Sequence, residues 1–388
     1  MKYIFILTIS LLYLEAQTVL DFKTFLNQAI DSSPYLHSSA LNIESAKQEG
    51  SILNRYENPS LALEVSQFSP DAGSSEAGFR AAYSQPVRLW GVADAKSALS
   101  TAMHQNAKSS YAQKKAFFVK SLSLLYVDYV QSKKSFILLA QTKAIAKTIY
   151  DISLARYESG TIAKGVMLQA KIDYQMVEAQ EDSARLQTSN AYFQLLRYAG
   201  VTKELEIDAN YQFSRRSEGV NSEIQLLEAK SIQADAQAKV NANKFEWVNV
   251  YAELEKEPNQ DIARLGVNIP LAIFNTKAQE KQLSILESKK AKLLIKNEQN
   301  RVKIELSRLT KERQALLNME LKYEKLLQSE TELLLMFQEG YKIASINLLQ
   351  LQDIKNRVIG SEQMLINITS ALDKNAILTN YIQGNNNE

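Results

Sequence analysis

Proline is confined to two windows of this 388-residue chain, at positions 34, 59, 70 and 86 and then at 258 and 270. The stretches Val87–Glu257 and Leu271–Glu388 contain none. A proline costs about 3 kcal/mol in a helix interior, so such cleared stretches are where long helices can run. Each window also carries alternating apolar and polar residues. Each is followed by a long run rich in Ala, Lys, Leu and Gln that reaches a glycine, Gly160 in the first half and Gly340 in the second. The grammar therefore occurs twice: alternating strand, second strand ended by proline, very long helix, glycine break, return helix. A spacing of roughly 180 residues marks a duplicated architectural unit, not a solenoid of short repeats.

The elements follow from this punctuation. A stripe of Phe22, Phe25, Leu26, Ala29 and Ile30 predicts a helix over Asp21–Arg55, closed by Asn58-Pro59. Leu61, Leu63 and Val65 alternate with Ala62, Glu64 and Ser66 as a first strand. Phe79, Ala81 and Tyr83 alternate with Arg80, Ala82 and Ser84 as a second, expected to stop at Pro86. Val92–Glu158 lacks both proline and glycine, and as one helix it would be about 100 Å long. After Gly160 a return helix is expected over Ala163–Arg197, then an irregular connection from Gly200 to Gly219 and a helix over Asn221–Asn243. Phe245, Trp247 and Tyr251 share one face of a third strand. Leu265, Val267, Ile269 and Leu271 alternate with Arg264, Gly266 and Asn268 up to Pro270 in a fourth. A second long helix is expected over Thr276–Gln338, broken at Gly340, with a last one from Ser345 toward Tyr381. Its stripe of Leu306, Leu309, Leu316, Tyr323, Leu327 and Leu334 is heptad-like, interrupted by Arg313, Glu320 and Glu330.

Composition narrows the function classes. Basic and acidic residues number 45 and 43, which argues against a broad nucleic-acid surface. The absence of cysteine removes disulfides, thiolate metal sites and a lipidated N-terminal Cys. His37 and His104 have no metal-ligand partner at helical spacing, and no carboxylate pair, phosphate loop or nucleophile elbow suggests an enzyme or a cofactor. Lys2, the apolar run Tyr3–Leu14 and Leu14-Glu15-Ala16 read as a secretory signal, residues 1–16. No later segment is apolar enough to span a bilayer as a helix, so any membrane contact must be made by strands.

Four amphipathic strands cannot close a barrel, and an open edge has no water to satisfy it in lipid. Two copies would give eight strands with little lumen; three would give twelve with room for a channel. Arg80, Arg264 and Asn268 would then face the lumen and Phe79, Tyr83, Leu265 and Val267 the lipid, with Trp90, Trp247 and Tyr251 as interfacial aromatics. Helices of about 100 Å need other long helices to bury their stripes, which predicts an antiparallel coiled-coil tube set end-on to the barrel.

Specific residues carry a resemblance. Ser84-Gln85-Pro86-Val87-Arg88-Leu89-Trp90-Gly91 before an Ala-rich helix resembles the strand exit of the TolC-like outer-membrane efflux proteins, as does Gly266-Val267-Asn268-Ile269-Pro270 in the second half. Arg156-Tyr157-Glu158-Ser159-Gly160 and Phe337-Gln338-Glu339-Gly340 are similar to the family's two helix-turn-helix tips. The resemblance implies a mainly α fold with a small β part: a trimeric 12-stranded outer-membrane barrel, four strands per chain, continuous with a periplasmic coiled-coil tunnel. Pro86 and Pro270 become the strand-to-helix transitions, and Arg156, Gly160, Phe337 and Gly340 the docking tips for a periplasmic adaptor. The constriction falls at Asn347, Gln350 and Asp353. Uncharged Asn347 and Gln350 stand where the family pattern suggests aspartates, which leaves an iris held by hydrogen bonds and packing.

The domains are then a first repeat over 17–200, a connecting equatorial segment over 201–220, a second repeat over 221–382 and a disordered tail over 383–388. The implied partners are two further copies of the chain, outer-membrane lipid, the adaptor and an inner-membrane pump of the RND type. The implied function is an exit duct for drugs or heavy metals, the signature leaning to the cobalt-zinc-cadmium branch. A type I protein-secretion duct and a periplasmic coiled-coil scaffold without a pore are the alternatives.

Overall fold

The computed structural model describes residues 19–385 except 70, 72, 217 and 218; the expected signal segment and the last three residues of the expected tail lie outside the described residues. Eleven elements are described in chain order: α1 (Phe22–Ser32), α2 (Pro34–Asn54), β1 (Ser60–Phe68), β2 (Glu76–Arg88), α3 (Val92–Glu158), α4 (Lys164–Ala199), α5 (Ser222–Asn241), β3 (Trp247–Glu257), β4 (Gln260–Asn268), α6 (Ala278–Lys342) and α7 (Leu348–Gln383).

The single helix expected over Asp21–Arg55 is two. Pro34 opens α2 at its first turn, where a missing N–H costs nothing, and the Ser33 hydroxyl accepts from the Leu36 amide to cap it. The 67 residues of α3 and the 65 of α6 give lengths of about 100 Å at 1.5 Å per residue. Helix α3 is the spine: α4, α2, α5 and α7 all pack along it, and α6 pairs with α5 and α7.

The strands form one antiparallel sheet in the order β1-β2-β3-β4. The two hairpins come from the two halves of the chain and meet where β2 pairs with β3 over Phe79↔Lys256 to Arg88↔Trp247. Contrary to expectation, β2 does not stop at Pro86, which lies within it opposite Asn249. Strand β1 begins at Ser60 opposite Ser84. Beyond Ser84 one side of β2 therefore has no ladder, and a proline removes no bond there.

The largest hydrophobic core sits where the connection after α4 crosses the bundle. Phe22, Phe25, Leu122, Tyr126, Leu195 and Ile207 are nearly inaccessible there. The ring of Phe22 lies 4.4 Å from Tyr126 and 5.0 Å from Phe213. The irregular connection is pinned by polar contacts. The Tyr126 hydroxyl donates to the Asp208 carbonyl at 2.6 Å, the Tyr192 hydroxyl exchanges bonds with both backbone groups of Leu205 at 2.8 Å, and Leu20 bridges Ile207 in parallel.

Asp373 on α7 accepts from the Phe213 amide at 2.9 Å, yet burial pushes its carboxyl above the ordinary range. An acid whose pKa is raised on folding binds more protons in the native state. Stability therefore falls as pH rises from the unfolded pKa through the folded one. Asp373→Asn keeps the acceptor without the charge. The expected result is a higher thermal midpoint than the parent at pH 7 and little difference near pH 4, read by circular dichroism in detergent.

Candidate functional site

The register sorts the sheet into two faces. Leu61, Leu63, Val65, Phe79, Tyr83, Leu254, Leu265 and Val267 share one side and are all exposed. Glu64, Arg80, Glu253, Glu255, Arg264 and Asn268 share the other. This is the division expected from the alternation. Trp247 and Tyr251 depart from it. They pair with Arg88 and Ser84 and so stand on the polar face, not on the apolar one as interfacial aromatics would.

The polar face carries a belt of charge across all four strands. Arg80 reaches Glu64 at 3.0 Å and Glu253 at 2.5 Å, while Arg264 holds Glu253 and reaches Glu255 at 2.5 Å. Glu253 is buried between the two arginines.

Beneath the sheet, Arg88 ties strands to helices. Its guanidinium donates to the carbonyls of Asn54 at 3.0 Å and Arg55 at 2.7 Å, the last turn of α2. Its Nε lies 3.0 Å from Glu246, which also takes Lys96 of α3 at 2.5 Å. The rings of Tyr56 and Trp247 flank it at 4.7 and 4.6 Å. Pro86 lies two residues away in β2, and Pro270 follows the end of β4.

At the far end the two helical hairpins pack on each other. Gly160 has φ 75°, and the Thr161 amide reaches back to the Arg156 carbonyl, so it closes α3 as a left-handed cap. Gly340 does not break α6 as expected. It is buried in the helix's last turn, where an added Cβ would sit 2.5 Å from Ile346. The chain turns instead at Ala344, which has φ 64°. Glycine is needed at 340 for close approach of the returning chain, and the left-handed residue falls four positions later.

The predicted docking residues are largely engaged within the chain. Arg156 is half-buried, donates to the Tyr341 carbonyl at 3.1 Å and stacks 5.0 Å from its ring. Phe337 is half-buried against the tip core of Ile149, Ala170, Leu334, Leu348 and Leu351. Gly160 is exposed. Asn347 and Gln350 form a capping box on α7, with the Gln350 amide donating to Asn347 at 2.9 Å and the Asn347 amide to Gln350 at 3.3 Å. Both are exposed, as is Asp353 one turn on.

Sequence reasoning missed the residues that hold the hairpins together. The Tyr341 hydroxyl lies 2.7 Å from that of Ser153 on α3. Lys355 on α7 is wholly buried and pairs with Asp173 on α4 at 2.5 Å, next to a Gln169–Gln352 bond of 3.2 Å. On the other side of α7, buried Glu330 of α6 accepts from Ser361 at 2.6 Å and lies 3.4 Å from Arg357. No group of three or more metal-ligating side chains is assembled among the described residues.

Residues 25–201 match the family described as Outer membrane efflux protein. No curated protein sequence matches the chain. Among solved structures, the chain is similar to the channel protein CusC at 14% identity, covering 93% of this chain and 91% of that one with a TM-score of 0.76. It is similar to the CmeC outer membrane channel of Campylobacter jejuni at 15% identity, covering 94% and 86%, TM-score 0.73. It is also similar to the outer membrane protein VceC of Vibrio cholerae at 14% identity, covering 93% and 95%, TM-score 0.75. At such identities the likeness is one of fold, and it extends over more than nine-tenths of the chain.

Proposed function

We infer that this chain, a member of the outer membrane efflux protein family by the match of its first repeat and the fold of the whole, is one third of an exit duct for a tripartite efflux system. The observation that carries the reading is the open four-stranded sheet, apolar on one face and charged on the other, standing on helices of about 100 Å. An apolar face this exposed suits lipid, and a charged opposite face suits a water-filled lumen. Among the described residues no helix is long and apolar enough to cross a membrane, which leaves the strands to do so. The protein then sits in the outer membrane and reaches through the periplasm. Three copies supply twelve strands, and the duct takes its cargo from an adaptor and an inner-membrane pump.

At the tips, exposed Tyr157 and Ile343 are better placed for an adaptor than Arg156 or Phe337, whose side chains serve the contact between hairpins. Asn347 and Gln350 bring uncharged polar groups to the start of α7, and Asp353 adds one acid per chain. Constriction here rests on the Tyr341 contacts and not on a ring of paired aspartates.

Reconstitution in a planar bilayer tests the duct. The parent protein is expected to run as a heat-modifiable trimer and to conduct in small, flickering steps. Tyr341→Phe, which loses the 2.7 Å contact to Ser153, is expected to raise the open fraction several-fold. A pure trimer that never conducts, with or without that substitution, would remove the duct reading and leave a scaffold.

A further inference from the structure

The sheet ends in two strands whose outer edges are unpaired, β1 and β4, each nine residues long. In lipid such edges have no water to satisfy them, so each must meet another strand. In this sheet neighbours alternate in direction, so β4 of one copy and β1 of the next also run antiparallel. The two edges are matched in charge on the polar face: Glu64 is the middle residue of β1 and Arg264 the middle residue of β4. Their apolar faces match as well, Leu61, Leu63 and Val65 against Leu265 and Val267.

The stagger narrows the register. Following the pairings from Arg264 through Glu253 and Ala82, the middle of β4 lies level with Ala62 of β1, two residues short of Glu64. The strands thus slip toward the start of β1 as the sheet is crossed, and closure onto the next copy must continue that slip. A strand tilt of about 35–45° requires a total slip of roughly four to six residues per four-stranded unit, given about 4.8 Å between strands and 3.3 Å per residue. Within that range a slip of four keeps Glu64 within one diagonal of Arg264 of the next copy. The slip must be even, because an odd one would put apolar side chains in the lumen.

We propose that the copies join with β4 and the neighbour's β1 in the register that sets Leu265 opposite Val65, Val267 opposite Leu63 and Gly266 opposite Glu64. In this register Glu64 stands diagonal to Arg264 of the next copy. The chain already closes such diagonals: Arg80 stands opposite Glu255 but bonds Glu253, and Arg264 stands opposite Glu253 but also bonds Glu255. The belt of charge that crosses one sheet then continues unbroken around the barrel, with the second copy supplying the partner that Glu64 lacks on its open side. Pro270, one residue past Ile269, meets the start of β1 at Ser60, where the ladder ends and no donor is needed.

The inference rests on the trimeric reading above, and the chain's lack of cysteine allows a direct test. Cysteine pairs are introduced in full-length protein, oxidised in the membrane and read as covalent trimer on denaturing gels. Val65→Cys with Leu265→Cys, and Leu63→Cys with Val267→Cys, are expected to cross-link several-fold more than Leu63→Cys with Leu265→Cys or Gln67→Cys with Leu265→Cys. Dominance of either of the latter pairs, which report a slip two residues smaller or larger, overturns the register. A trimer in which none of the four pairs cross-links overturns the β1–β4 seam itself. Monomers in the parent protein would instead count against the trimeric duct.

Discussion

Replacing Lys355 with alanine is expected to destabilise the contact between the two hairpins by about 3–5 kcal/mol, the cost of leaving a buried charge without its partner. Lys355 is wholly buried and Asp173 nearly so, and the 2.5 Å contact between them is the only ion pair joining α4 to α7 among the described residues. Truncation leaves Asp173 in a site that excludes water. Asp173→Ala should cost a similar amount, because it strands the ammonium instead. A joint change to Lys355→Met and Asp173→Leu is expected to recover most of the loss, since apolar side chains of similar volume replace buried pairs at little cost. Protease cutting near the tips and the thermal midpoint in detergent give the comparison. If all three variants melt alike, the pair is not a point of attachment. In the bilayer, the single variants should also open more often than the double variant, because the second hairpin has lost its hold on the first.

The position of that pair also explains what the sequence could and could not reveal. The bounds of α3 were legible to the residue because nothing that breaks a helix occurs between Gly91 and Gly160. The two faces of the sheet were legible because alternation has a period of two and its phase is fixed by the apolar residues. Lys355 and Asp173 carry no such signal. They lie 182 positions apart, on different helices, and each looks like an ordinary solvated charge. Gly340 misled for a different reason. A glycine near a helix end is most often a left-handed cap, and Gly160 is one, but Gly340 serves a close approach while Ala344 takes the left-handed conformation. Asn347 and Gln350 could have been read as a capping box from their spacing alone. Family resemblance drew attention to the charge they lack instead of the hydrogen bonds they make. Trp247 and Tyr251 were expected as interfacial aromatics because of their ring type, whereas strand pairing places them on the polar face beside Arg88 and Ser84.

Arg88 is where the largest effect on assembly is expected. Its side chain is 3% exposed and spans three parts of the chain: the last carbonyls of α2, Glu246 before β3 and the aromatic pair Tyr56 and Trp247. Because β2 runs directly into α3 through Leu89–Gly91, this contact fixes the angle at which the sheet leaves the helical bundle. Arg88→Ala removes two charge-assisted hydrogen bonds, each worth about 1.5–3 kcal/mol. It also leaves the Asn54 and Arg55 carbonyls without these donors and removes the group that covers the Tyr56 and Trp247 rings. Glu246 keeps Lys96 at 2.5 Å, so the loss is not one of charge balance alone. Arg88→Lys cannot rescue it, because one ammonium cannot reach both carbonyls and also lie over the rings of Tyr56 and Trp247. The expected result is a helical bundle that retains its circular dichroism while the heat-modifiable trimer disappears from the membrane fraction. Full trimer yield for Arg88→Ala, with an unchanged melting midpoint, would mean that the sheet is positioned by its own pairing and not from the junction. The sheet makes that outcome hard to reach. Its two halves come from hairpins separated in sequence by α3, α4 and α5, so β2 finds β3 only if the helices first hold both strands at the same height.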